Sequence, residues 1–260
     1  MKLKKNIISL FNNKSAGSSS LLIKLNRIMK EESGNKGYMS FIIAESKRHF
    51  KDFSIIQNYL CKIEKVLNDA EASSKILDYY DDYETNVNSK IFENGREYFH
   101  NVSKILTLSN SLTVVNFISR LYGMNRKLEV IITESRPINE GRILAKRLLM
   151  SSIPIEFITD FAAASYIHLV DAVIIGADKI LSNGNIVNKT GSLTLAILSR
   201  YYNKPFYVVT TKSKLSKKSE YLGVEKDPNE VWRYRDQKLN IRNYYFEEVK
   251  RNLVTKLITD

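Results

Sequence analysis

Apolar positions in the first hundred residues recur with a helical period. Leu21, Leu22, Leu25, Ile28 and Met29 fall on one face, and Ile55, Ile56, Tyr59, Leu60, Ile63, Val66 and Leu67 repeat the arrangement more regularly. Ser33-Gly-Asn-Lys-Gly37 interrupts the pattern and predicts a break between helices. Asp78-Tyr-Tyr-Asp-Asp-Tyr83 predicts a helix end that buries tyrosine rings and leaves their hydroxyls in water. From Lys104 the pattern changes to short β-branched runs separated by helical ones. Strands are predicted at 105–107, 128–133, 154–159, 171–175 and 205–210, with helices at 112–121, 140–150 and 190–201. A terminal helix is predicted over 247–258. Strands joined by helices of this length imply right-handed crossovers and a parallel sheet. The fold class is therefore α/β, with a helical N-terminal domain over residues 1–100 and a parallel-sheet domain over 101–260.

Composition agrees with a folded chain. Hydrophobic residues make up 43% of 260 positions, and there are 10 Gly and 4 Pro, so neither global disorder nor a loop-rich fold is expected. The net charge is +12, with most of the excess after residue 100, which suits acidic or phosphorylated ligands as well as plain solvated lysines. Aromatic and basic residues are not interleaved in a nucleic-acid motif. Cys61 is the sole cysteine, so no intrachain disulfide or cysteine-based zinc site is possible. His49, His100 and His168 lack ligand spacing, and no metal or cofactor is expected. The basic and then apolar N-terminus is too soon broken by Asn12-Asn-Lys14 for a signal peptide, and no run spans a bilayer. A cytoplasmic location and no membrane contact are expected.

Three polar motifs follow predicted strands, at the sheet edge where open α/β folds bind ligands. The turn Thr107-Leu-Ser-Asn-Ser-Leu-Thr113 has no glycine and so is not a dinucleotide fingerprint. Its Ser109, Asn110 and Ser111 can cap the next helix or present amides to an anion. In Glu134-Ser-Arg-Pro137, Arg136 can fork onto a phosphate, or pair with Glu134 or Glu140 to fix the loop. Asp160 and Asp178 each end a strand. Asp178, in Gly176-Ala-Asp-Lys179, can bond a sugar hydroxyl, act as a general base, or tie a loop. Asn188 and Lys189 come next, Lys189 as a phosphate contact or as one more surface lysine.

The order Glu134-Ser-Arg-Pro137, Glu140-Gly141, Asp160, Gly176-Ala-Asp-Lys-Ile180, Asn183-Gly184, Asn188-Lys189, Gly191 and Pro205-Phe-Tyr-Val208 resembles the superfamily of translation initiation factor 2B regulatory subunits. That superfamily also holds methylthioribose-1-phosphate isomerase and ribose-1,5-bisphosphate isomerase. The resemblance is specific from about Lys104 to Lys212. It implies a helical N-terminal domain, a Rossmann-like C-terminal domain, and a homodimer formed through the latter. The isomerases pair a cysteine in the first-strand turn with the aspartate of the Gly-Ala-Asp motif. Here those positions are Ser109 and Asp178. A hydroxyl is a far weaker acid than a thiol, whose reference pKa is about 8.5. The family's N-terminal arginine-glycine-alanine motif leaves only a trace at Lys14-Ser-Ala-Gly17, and its arginine-proline-threonine motif has no counterpart near Tyr38 to Ile43.

These departures favour a non-catalytic initiation factor 2B-like regulatory subunit, with a vestigial pocket for a sugar phosphate or nucleotide and initiation factor 2 as a candidate partner. The alternative is an aldose–ketose isomerase acting on a ribose phosphate with Asp178 as its catalytic residue. In either case the expected ligand contacts are Ser109, Asn110, Arg136, Asp178, Asn188 and Lys189.

Overall fold

The computed structural model describes residues 2–13 and 16–260, apart from the Glu84 side chain. Lys14 and Ser15, half of the remnant phosphate motif, lie outside the described residues. The helices of the N-terminal part are α1 (Lys5–Phe11), α2 (Ser18–Glu31), α3 (Lys36–His49), α4 (Ser54–Val66), α5 (Ala70–Asp81) and α6 (Tyr83–Gly95). The predicted apolar faces are the buried ones: Leu21, Leu25 and Met29 on α2 and Ile55, Ile56, Leu60 and Ile63 on α4 are at most 1% exposed. At the predicted break, Asn35 caps α3 by accepting from the Tyr38 amide at 3.0 Å. Asn26 staples the bundle, donating to the Leu77 carbonyl on α5 and accepting from the Tyr59 hydroxyl on α4, both at 3.0 Å.

The α/β part adds strands β1 (Lys104–Thr107), β2 (Glu129–Thr133), β3 (Ile155–Ile158), β4 (Ala172–Ile175), β5 (Lys179–Ile180), β6 (Ile186–Lys189), β7 (Phe206–Val209), β8 (Phe246–Val249) and β9 (Lys256–Ile258). Its helices are α7 (Leu112–Met124), α8 (Gly141–Leu149), α9 (Ala163–Tyr166) and α10 (Ser192–Tyr201). Six strands form one parallel sheet in the order β3-β2-β1-β4-β7-β9. β4 and β7 are buried throughout, as strands covered on both faces must be. The chain winds outward from β1 through β2 to β3, then returns to place β4 on the other side of β1. The loops after β1 and β4 therefore diverge and leave a crevice at the switch point.

The predicted terminal helix over 247–258 is absent. That segment forms β8, a 3-10 turn at Arg251–Leu253, and β9. Val249, Leu253 and Leu257 recur every four residues, which mimics a helical face. The segment instead completes two sheets. β8 pairs antiparallel with β6, and β9 adds to the edge of β7 as a sixth strand that the sequence pattern does not predict. β5, β6 and β8 make a small second sheet in the order β5-β6-β8.

The tyrosine cluster also departs from expectation. Tyr80 and Tyr83 bury their rings, but the Tyr83 hydroxyl is not in water. It bonds Thr211 Oγ1 at 2.8 Å and Ser213 Oγ at 2.5 Å, and so ties α6 to the 3-10 turn Lys212–Lys214 beyond β7. One cluster of buried apolar side chains runs from the N-terminal helices into one face of the large sheet.

Gly141 lets α8 start hard against β2. A Cβ there would lie 1.9 Å from the Thr133 carbonyl oxygen, a backbone atom that cannot yield. Gly141→Ala is expected to destabilise the fold by about 3 kcal/mol, the upper end of overpacking costs, measured by urea denaturation. A cost under about 1 kcal/mol would contradict this close approach.

Candidate active site

Three strand-end loops are locked side by side at the carboxyl edge of the sheet. Asp160, after β3, accepts the Ser135 and Arg136 amides, each at 2.8 Å. Ser135, after β2, accepts the Ser109 amide on its Oγ at 2.7 Å. Ser109, after β1, and Ser135 both adopt left-handed backbone (φ 65° and 60°), which non-glycine residues enter rarely and at a cost. The network holds that strain. Asp160 is thus a loop tie.

Ser109, Asn110, Asp178, Asn188 and Lys189 line one cavity of about 160 Å³. Arg136 does not join them. It is exposed, and its guanidinium donates to the Val231 carbonyl at 3.1 Å rather than pairing with Glu134 or Glu140. Asn110 is buried and accepts from the Arg147 guanidinium at 3.0 Å. Asn188 donates to Ser192 Oγ at 2.9 Å and shapes the turn into α10. Ser111 is the N-cap of α7, as one of its two predicted roles required.

Lys189 is not a surface lysine. It is 2% exposed, and its ammonium lies 2.9 Å from Glu140 Oε2 and 4.5 Å from the centre of the Tyr245 ring. The Glu140 carboxylate is the charged partner of the buried ammonium, and among the described residues no further acceptor completes its N–H groups. Taking such a charge out of water costs several kcal/mol, which an ion pair repays only when further hydrogen bonds complete it. An anion entering the cavity would supply them. The nearby N-terminus of α10 is closed to that role, because Glu247 of β8 accepts the Gly191 and Leu193 amides at 2.8 and 2.7 Å.

Glu140 opens the helix predicted over 140–150, and the sequence pattern offered it only as an ion-pair partner for Arg136. It is 6% exposed at the start of α8, and accepts the Ser109 hydroxyl at 2.9 Å on the oxygen that faces Lys189. Burial pushes its carboxyl above the ordinary value, against the opposing pull of Lys189 and Ser109. Asp178 is half-buried, and Ser18 of α2 donates to its Oδ1 at 2.8 Å. The helical part thereby orients the carboxylate of the sheet. At the adjacent Gly17 a Cβ would come 2.8 Å from the Asn110 carbonyl oxygen, so a bare backbone closes this side of the cavity.

Lys214 is 3% exposed, lines the same cavity, and donates to the Ala177 carbonyl. Burial lowers its pKa, and Asp178 opposes the shift. His49 also lines the cavity, stacked on Phe11 with ring centres 4.3 Å apart. No local pattern marked Ser18, His49 or Lys214, because each comes from an element distant in sequence. Cys61 is exposed on α4 and is not among the lining residues. No described helix is long and apolar enough to cross a membrane.

The profile of the initiation factor 2 subunit family matches residues 8–260. The chain belongs to this family. It is 28% identical over 248 residues to a ribose 1,5-bisphosphate isomerase of Methanocaldococcus jannaschii, covering 92% of this chain and 80% of that protein. It is 27% identical over 180 residues to translation initiation factor eIF2B subunit alpha of Dictyostelium discoideum, covering 69% of this chain but only 52% of that one. The family thus holds both ribose-phosphate isomerases and initiation-factor subunits. Among solved structures, a Pyrococcus horikoshii OT3 translation initiation factor eIF-2B superposes with a TM-score of 0.84 at 23% identity, over 99% of this chain and 96% of that one. At that identity the likeness establishes the fold: a helical N-terminal region followed by a parallel six-stranded sheet.

The raised pKa of Glu140 has a thermodynamic consequence. Between its unfolded value near 4.5 and its higher folded value, the folded chain holds more protons than the unfolded one. Stability from this group therefore falls as pH rises through that window, then levels off. The unfolding free energy of wild type minus that of Glu140→Gln is expected to decline as pH rises above about 4.5, measured by urea titrations at several pH values. A difference that grows with pH would reverse the assignment.

Proposed function

We propose that this protein is an aldose–ketose isomerase acting on a ribose phosphate. The observation that carries the reading is a buried carboxyl, Glu140, hydrogen-bonded to Ser109 and facing the same cavity as Asp178. Turning an aldose phosphate into its ketose moves one hydrogen from C2 to C1. It also takes a proton from the C2 hydroxyl and returns one to the oxygen released at C1. The reaction needs one group that takes a proton and one that gives it, and two carboxyls in unlike environments serve this purpose. Asp178, held by Ser18, is placed to accept. Glu140, its carboxyl raised by burial and bonded to the Ser109 hydroxyl, is placed as the second proton-exchanging group, directly or through Ser109. The Lys189 ammonium, whose N–H groups Glu140 alone does not complete, fits the phosphate.

This reading reverses the preference drawn from the sequence. There the replacement of the thiol by a weakly acidic hydroxyl argued against turnover; Glu140, from a different loop, gives Ser109 a carboxyl partner. The extended match to a ribose 1,5-bisphosphate isomerase supports the same reading.

A non-catalytic regulatory subunit remains the second reading, favoured by Ser109 itself, since an alkyl hydroxyl is a poor acid beside a thiol. In that case a ribose phosphate binds and leaves unchanged. Homodimer formation through the C-terminal part belongs to either reading.

Ribose-1,5-bisphosphate incubated with the purified protein and followed by NMR is expected to convert to its ketose. Asp178→Asn should abolish turnover, and Glu140→Gln should slow it by about 10²–10⁴-fold, the usual range for a general acid or base. If excess wild-type protein leaves both this substrate and methylthioribose-1-phosphate unchanged while its melting temperature still rises with either, the regulatory reading replaces the catalytic one.

A further inference from the structure

A second concavity of about 590 Å³ adjoins the cavity and shares Asp52 with it. It is lined by four lysines, Lys51, Lys179, Lys217 and Lys218, against two acids, Asp52 and Glu220. Lys179 decides its character. It follows Asp178 directly, yet it lines this pocket while Asp178 lines the other. It is 9% exposed, and no described carboxylate or carbonyl takes an ion pair or hydrogen bond from its ammonium. The ammonium lies over the Tyr221 ring, 5.4 Å from the ring centre. Burial pulls the Lys179 pKa down and Lys218 adds to this, while the carboxylates of Asp52 and Asp178 act in the opposite sense. The Asp52 Oδ2 also lies 3.4 Å from the Lys226 ammonium, with which it is paired. The pocket thus holds a lysine whose ammonium no carboxylate pairs directly, flanked by further cations.

We infer that this pocket is a second anion site, distinct from the Asp178–Glu140 cavity, and that it takes a phosphate-bearing small molecule with room for more than one phosphoryl group. Lys179 is its anchor at the base, and Lys217 and Lys218 close on the ligand from the exposed loop. The Tyr221 hydroxyl, pushed up to about 12 by burial, stays protonated at neutral pH and remains available as a neutral donor.

Pyrophosphate is the probe. The pocket does not depend on the isomerase reading, so a protein with no turnover tests it equally well. In calorimetric titrations, Lys189→Met should retain a pyrophosphate-binding event within about threefold of wild-type affinity. Lys179→Met should weaken that event at least tenfold, and the exposed-loop variant Lys218→Ala should weaken it several-fold without the risk of misfolding. Acetylation of wild-type lysines read by mass spectrometry gives an independent measure: saturating pyrophosphate should protect Lys179, Lys217 and Lys218. Binding that disappears in Lys189→Met and is unchanged in Lys179→Met, or protection confined to Lys189 and Lys214, would overturn the proposal.

Discussion

The buried pair of Glu140 and Lys189 is the interaction on which the rest of the site depends. It joins the start of α8 to the end of β6 and, through the Ser109 hydroxyl, to the loop after β1. A carboxylate at the first turn of a helix is favoured by the helix dipole, and the Tyr245 and Phe246 rings sit 4.5 and 5.4 Å from the ammonium. Even so, an incompletely hydrogen-bonded buried charge pair is a poor way to stabilise a fold, since apolar residues of similar volume commonly do as well or better. Its persistence in the wall of a cavity makes sense if an anionic ligand completes it.

The sheet alone does not make this site. Its switch point between β1 and β4 opens the crevice, and the strand-end loops are braced by Asp160 and Ser135. The N-terminal helices then finish it: Ser18 orients Asp178, Gly17 lies against the Asn110 carbonyl, and Tyr83 ties down the turn that carries Lys214. The apolar core is continuous across the same junction. Movement of the helices relative to the sheet would disturb the Asp178 carboxylate and the buried Lys214 together.

The two functional readings differ in what they ask of Ser109. As the direct replacement of a thiol, it is a weaker acid and argues for a site that binds without reacting. As the partner of Glu140, it is a relay to a carboxyl whose protonation is favoured by burial. The same fold accommodates both, as its relatives illustrate, so the decision rests on side chains rather than on architecture.

Local periodicity in the sequence was enough to determine the helical first part, the five β-branched strands from β1 to β4 and β7, and the placing of Ser109, Asn110 and Asp178 at one edge of a parallel sheet. Those features follow from spacing along the chain, because a strand followed by a helix always delivers its carboxyl end to the same side. Only the tertiary structure decided which groups meet there. It made Val249, Leu253 and Leu257 parts of two sheets and an intervening turn rather than one helix, because edge pairing with β6 and β7 involves partners that local sequence does not reveal. It sent Arg136 outward, buried Lys189, and set Glu140 against Ser109. Burial and charge pairing are properties of the space between distant segments, and no window of the sequence contains that space.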